Sequence, residues 1–341
     1  MSEKKFYDLL IVGAGPSGLA CAIAAEKKNL SYVLLEKGVL VNSLFHFPTN
    51  MTFFSTSKLL EIGGVPFISH GDKPTRREAL EYYRRVKESW KLNVHLYEPV
   101  ESLEAAEAGG YWVHSSKESY RTKHVVVATG YFDLPRLLGV PGEDLPKVAH
   151  YYNDAHPYVD QKVLVIGGAN SACDVALETF YKGAKVTMAI RESEIYEKVK
   201  YWIRPNIENR IKEGSIEAYF NTTVKEIREK EVVLQNADGE WTIENDFVLA
   251  MTGYQPDYSF LQKLGIAIED DRQRTPVFDT ETLETNLPDV YLAGVVNGGM
   301  ATSKYFIENT RDHGDVIVKD ILRKKKDGLR LIKEEPRKAE V

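Results

Sequence analysis

The chain has 341 residues, 43% of them apolar and 28% charged, with a formal net charge of −6 at pH 7. That length suggests about two domains at roughly 150 residues each, and the acidic balance argues against nucleic acid, whose phosphates need a basic face. No stretch approaches the ~20 apolar residues of a membrane span, and the two cysteines, Cys21 and Cys173, make neither a CxxC nor a zinc motif, so no metal is expected.

The N-terminus, MSEKKFYDLLIVG, enters a strand at once and leaves no room for a signal peptide, so a cytoplasmic location is expected. DLLIVG reads as a buried strand, GPSGLACAIAAEKKN as an alanine-rich helix and SYVLLEK as a second strand. Between strand and helix, Gly13, Gly15 and Gly18 have the G-x-G-x-x-G spacing. The first glycine permits the tight turn, the second lets backbone approach a pyrophosphate, and the third lets helix and strand pack closely. The helix N-terminus adds N–H groups and partial positive charge. Glu36 ends the second strand, where a carboxylate accepts hydrogen bonds from ribose hydroxyls.

Residues 42–67, NSLFHFPTNMTFFSTSKLLEIGGVPF, lack strong periodicity and read as loop or short helices around a ligand. TRREALEYYRRVKESWKL has helical spacing, with Thr75 as N-cap and Glu78 three residues on. Short strands lead to VVVATGYFDLP, and after Pro141-Gly142 a second βαβ unit opens with KVLVIGGANSA. Its turn keeps Gly167 but has Ala169 and Ala172 at the second and third glycine positions. The step that joins Gly13 to Glu36 leads from Gly167 to Ile190, followed by Arg191. An acidic residue there favours a free 2′-hydroxyl and an arginine a 2′-phosphate. The first site therefore suits FAD and the second NADPH, with Lys198 and Lys200 as further cations and Glu192 as a counterweight. FVLAMTGYQPD echoes VVVATGYFDLP, giving two nucleotide-binding units in one chain. VYLAGVVNGG follows, and beyond Lys319 a charged helical tail reads as solvated or frayed.

The expected fold is α/β, two Rossmann-like domains with the second inserted in the first: an FAD domain over 1–145 and 250–341, an NAD(P)H domain over 146–249. Candidate cofactor contacts on the FAD side are Gly13, Gly15, Pro16, Ser17, Gly18, Glu36, Lys37, Asn42, Thr52, Val100, Ala128, Thr129 and Gly130, with Gly294, Val295 and Ser303 near the C-terminus. On the NADPH side they are Gly167, Gly168, Ala169, Asn170, Ser171, Ala172 and Arg191, and Gly253 after the second closing strand is a further cofactor contact. Cys21 and Cys173 read as buried small hydrophobes, and His150 and His156 as structural. No residue is singled out as catalytic.

This arrangement resembles the thioredoxin-reductase-like flavoproteins, whose thioredoxin-reducing members place a CxxC shortly before the second turn. Here Tyr151 and Asp154 stand in the two cysteine positions. The aromatic segment at 42–67, GGANSACDVALE, KVKYWIRPNIE and VYLAGVVNGG…FIENTRDHG together resemble the YpdA-type bacillithiol disulfide reductases up to about Lys319. The resemblance implies NADPH-dependent reduction of a low-molecular-weight disulfide at an FAD centre, in a homodimer. Many members carry in the first turn a cysteine proposed for disulfide exchange, where this chain has Ser17, and serine cannot exchange with a disulfide. A usual acidic residue after Ala293-Gly294 is replaced by Val295. The alternatives are a ferredoxin or flavodoxin reductase, with a redox carrier protein as partner, and a flavin-dependent monooxygenase. A further F-x-G-x-x-x-H signature, usual in the monooxygenases, is absent around VPGEDLPKVAHYY.

Overall fold

The computed structural model describes residues 6–334. The chain divides into two compact units. The first runs through Phe45, resumes over Ser55–Leu134 and again from Gln255, while the second comprises His46–Phe54 and Pro135–Tyr254. These crossings differ from the expected junctions at 145/146 and 249/250. The reason is local: Ile227 N donates to Pro141 O at 2.9 Å, which ties the Pro-Gly turn into the second unit. A Cβ at Gly142 would lie 1.9 Å from Ile227 O, so only glycine allows this approach. The segment His46–Phe54 was expected on the FAD side and groups instead with the second unit. There Thr49 N donates to Asn153 O at 2.8 Å and Asn50 Nδ2 to Glu178 Oε1 at 2.6 Å.

In the first unit, strand Phe6–Val12 lies between Tyr32–Leu35 and Ser119–Val127, parallel to both. Val94–His95 continues the sheet beyond Tyr32–Leu35. On the other edge Ser119–Val127 is shared: its first half pairs antiparallel with Tyr111–Ser115, its second half parallel with Val290–Leu292. The central strand is buried on both faces, with Leu9, Leu10 and Ile11 fully inaccessible, which is why it reads as a continuous apolar run. Helix Arg76–Trp90 starts with the expected capping box of Thr75 and Glu78.

Helix His313–Glu334 packs on the first helix, Pro16–Lys27, at small residues. A Cβ at Gly314 would come within 2.7 Å of Cys21 Cα, so the backbones touch. The tail beyond Lys319 was expected to be solvated, but Asp320 and Ile321 are buried. Tyr291 Oη donates to the Asp320 carboxylate at 2.9 Å, and Arg323 pairs with it at 2.6 Å. A buried, partnered acid anchors the helix at a point where sequence shows only charge. Residues beyond 334 lie outside the described residues.

The second unit repeats the design. Strand Lys162–Ile166 lies between Lys185–Ala189 and Phe247–Ala250, all parallel, and helix Asn170–Tyr181 follows the second glycine turn. A three-stranded antiparallel sheet, Thr223–Ile227, Glu231–Asn236 and Gly239–Glu244, covers one side of its core. Among the described residues no helix is long and apolar enough to cross a membrane.

Candidate functional site

The first turn is built on contacts that only glycine permits. Gly13 has φ +104°, and a Cβ there would sit 2.7 Å from Ala128 O. A Cβ at Gly18 would lie 1.8 Å from Gly13 O. Gly15 differs: its φ is −72°, and a Cβ on it would meet nothing within 4 Å. That open side faces the start of helix Pro16–Lys27, whose N-terminus has no side-chain cap. Its first N–H groups therefore lack an intrahelical or capping acceptor, the arrangement an anion fills.

Glu36 closes this turn. Its carboxylate accepts from Ala14 N at 2.8 Å and from Gly38 N at 3.0 Å, and only 5% of the residue is exposed. Burial pushes its pKa up despite those two bonds. A carboxylate has about four acceptor sites, so this one can take further donors such as a ribose diol. The residues around the turn thus fit a dinucleotide. Lys37 pairs with Asp133 at 2.7 Å, Asn42 Oδ1 accepts from Val39 N at 3.3 Å, and Val100 sits half-buried at a strand start. Ala128 is held by its N–H on Val12 O at 2.8 Å, and Thr129 leads into Gly130 in the left-handed region at φ +74°. Thr52 is in the second unit, its carbonyl accepting from Lys200 Nζ at 3.4 Å.

Gly294 comes to the same turn from the C-terminal part of the unit. It has φ +92°, and a Cβ on it would lie 2.6 Å from Ser17 Oγ. The Ser17 hydroxyl lies 3.2 Å from the hydroxyl of buried Thr310. The N–H of Gly294, expected to be offered to the flavin, instead donates to His313 Nδ1 at 3.1 Å. The N–H groups of Val295 and Val296 begin a short 3-10 turn and have no intrahelical acceptor. Ser303 is exposed on a turn. Thr310 and His313 lie in the FIENTRDHG stretch that carries the resemblance, but nothing local in it announces their partners, which are far away in sequence.

His313 is a neutral acceptor, and burial pushes its pKa down from 6.5 to about 4. Below about pH 6.5 the unfolded chain binds a proton there that the folded chain refuses. Stability is therefore expected to fall as pH drops from 6.5 towards 4, by up to about 3 kcal/mol from this group. Urea midpoints across that range should show the slope in the wild type and a shallower one in His313→Gln, which keeps an acceptor but does not titrate. Equal slopes would contradict the assignment.

The second turn has the same construction. Gly167 has φ +124°, and a Cβ there would lie 2.7 Å from Met251 O, while one on Gly168 would meet Ile190 at 2.8 Å. Helix Asn170–Tyr181 begins after Ala169 with no side-chain cap, Ser171 is exposed and Ala172 is fully buried against the core. Arg191 stands 79% exposed and pairs with Glu192 at 2.8 Å. Lys200 is not a free cation: it is buried, with its ammonium on Asp174 at 2.7 Å. Gly253, at φ +88°, accepts from Arg136 N at 2.9 Å through its carbonyl, a partner the motif did not announce.

Both cysteines are buried, and burial pushes each thiol up to about 12. Neither forms a thiolate readily near neutral pH. At the positions of the missing dithiol, Tyr151 stacks on Tyr254 at 5.4 Å and Asp154 accepts from His156 N at 2.8 Å. His150 faces Glu143 at 3.3 Å. Elsewhere, His95, Glu98 and Glu118 converge, but the Glu98 carboxylate already accepts from Ser115 and Tyr120 hydroxyls at 2.7 Å each.

Residues 10–294 match the family described as pyridine nucleotide-disulphide oxidoreductase. The chain is 44% identical over 316 residues to bacilliredoxin reductase Bdr of Bacillus subtilis strain 168, covering 92% of this chain and 97% of that protein. The solved bacillithiol disulfide reductase Bdr (YpdA) from Bacillus cereus has a TM-score of 0.91 at 42% identity, covering 94% of this chain and 100% of its own. The one from Staphylococcus aureus has a TM-score of 0.91 at 40% identity, covering 94% and 99%. The matched region runs from the strand before Gly13 through Gly167 to Gly294, so it takes in both glycine turns. On that ground the chain belongs to the pyridine nucleotide-disulphide oxidoreductase family and is an FAD- and NADPH-dependent oxidoreductase.

Proposed function

We propose that the protein reduces a low-molecular-weight disulfide of the bacillithiol type in the cytoplasm, as a homo-oligomer. The observation that carries this reading is a pair of dinucleotide turns in a chain whose only two thiols are buried and protonated. Bound FAD would accept a hydride from NADPH and pass two electrons to the disulfide. The balance is NADPH, one proton and one disulfide giving NADP⁺ and two thiols. The chain's own part is to bind and orient. The open side of Gly15 and the first helix N-terminus would meet the FAD pyrophosphate, and Glu36 the adenosine ribose. The N–H groups of Val295 and Val296 would face the flavin end. The main-chain N–H groups between Gly167 and Ala172 would take the NADPH pyrophosphate, and Arg191 its 2′-phosphate. Ser17 contributes a hydroxyl where a thiol would be needed for exchange, so the protein offers no mixed-disulfide step there.

The name of the Bacillus subtilis relative, bacilliredoxin reductase, favours a second reading in which a small redox carrier protein brings the disulfide. Steady-state NADPH oxidation separates these. Bacillithiol disulfide should support turnover, while oxidised ferredoxin, flavodoxin and oxygenatable amines should not. Turnover with an oxidised bacilliredoxin but not with the free disulfide would replace the first reading with the second.

A further inference from the structure

Residues 191–203 return over the second glycine turn and are fastened to it. Tyr196 N donates to Gly168 O at 3.0 Å, while Ile195 and Val199 are buried in the core of this unit. The firmest fastening comes from Asn170, the first residue of the helix. Its Oδ1 accepts from Lys200 N at 2.8 Å, and its Nδ2 donates to Lys198 O at 3.4 Å. The N-cap position is Ala169, which has no side-chain acceptor for the helix's first N–H groups, and Asn170 at the first helical position turns its side chain to the loop. The first-turn N–H groups stay available to an anion, and both ends of the amide hold the loop.

The loop is braced from a second side. Lys200 reaches Asp174 of the same helix at 2.7 Å and Thr52 O at 3.4 Å. Its charge is thereby matched inside the fold. Lys198, by contrast, is exposed, with its main chain fixed beside the helix N-terminus by Asn170. Arg191, at the other end of the loop, is partly neutralised by Glu192.

We propose that Asn170 is a positioning residue for nucleotide selectivity, holding the 198–200 main chain so that Lys198 meets the 2′-phosphate. The Asn170 side chain is then not a pyrophosphate ligand. The inference rests on the reading that the second turn binds NADPH. A ligand common to both nucleotides would be contacted whether or not the 2′-phosphate is present. A residue acting through Lys198 matters only when it is.

Calorimetric titration of the purified protein with 2′,5′-ADP and with 5′-ADP tests this without turnover. Wild type should prefer 2′,5′-ADP. Asn170→Ala and Lys198→Ala should each weaken 2′,5′-ADP by about tenfold, the loss of one charge-assisted contact. Each should change 5′-ADP by less than about twofold, which also reports that the turn remains folded. The double variant should be no weaker for 2′,5′-ADP than Lys198→Ala alone, because one residue acts through the other. Equal losses for both nucleotides in Asn170→Ala, no loss, or additive losses in the double variant would overturn the proposal. Absence of any preference in the wild type would instead overturn the NADPH reading, and with it this one.

Discussion

Replacing Gly15 with valine is expected to give a folded, colourless protein. The side chain would enter space that is empty of protein atoms, since a Cβ there meets nothing within 4 Å and the backbone is already extended at φ −72°. The fold has no reason to resist it. The same space is where the pyrophosphate would approach the uncapped helix N-terminus. Displacing it removes two or so charge-assisted backbone bonds at roughly 1.5–3 kcal/mol each, which corresponds to about 10²- to 10⁴-fold weaker flavin retention. Far-UV circular dichroism and urea midpoint should stay at wild-type values while the flavin absorbance of the purified protein is lost. Gly18→Ala is the contrasting variant. Its Cβ would fall 1.8 Å from Gly13 O, so the turn itself must break and stability should drop with the colour. If Gly15→Val retains stoichiometric flavin, the first turn is not the flavin site.

Glu36→Leu is expected to do damage of both kinds. The carboxylate is buried, and its two bonds are the acceptors of Ala14 N and Gly38 N. Leucine leaves both N–H groups without a partner in the interior, at about 1–3 kcal/mol each. A loss of about 2–6 kcal/mol is a large fraction of the 5–15 kcal/mol typical of a domain. Glu36→Gln keeps one acceptor and should fall between. Urea unfolding measures the stability loss, and the flavin content measures the ribose contact. A leucine variant of unchanged stability would show that the two hydrogen bonds do not hold the turn.

The parts of the site that sequence disclosed are those whose physics is local. Gly13, Gly15, Gly18 and Glu36 lie within one βαβ unit, where a tight turn, a helix start and a strand end follow one another in fixed steps. Thr75 and Glu78 announce a helix because a capping box needs only four residues. What stayed hidden depends on long-range packing. His313 takes the Gly294 N–H from the start of a helix whose charged composition gave no hint of a buried acceptor. Asp320 looked like part of a solvated tail and is the buried partner of Tyr291. The segment His46–Phe54 carries hydroxyls and aromatics without a period, so nothing in it says which unit its hydrogen bonds will join. Lys200 illustrates the same limit: a lysine near a glycine turn reads as a phosphate ligand until Asp174 is found beside it.

The central claim is that electrons pass from NADPH through FAD to a small disulfide without a protein thiol. Steady-state reduction of bacillithiol disulfide by the Cys21→Ala, Cys173→Ala double variant tests it most directly. Both thiols are buried and held near 12, so turnover should remain within about twofold of wild type. Loss of disulfide turnover in a double variant whose flavin NADPH still reduces would contradict the account.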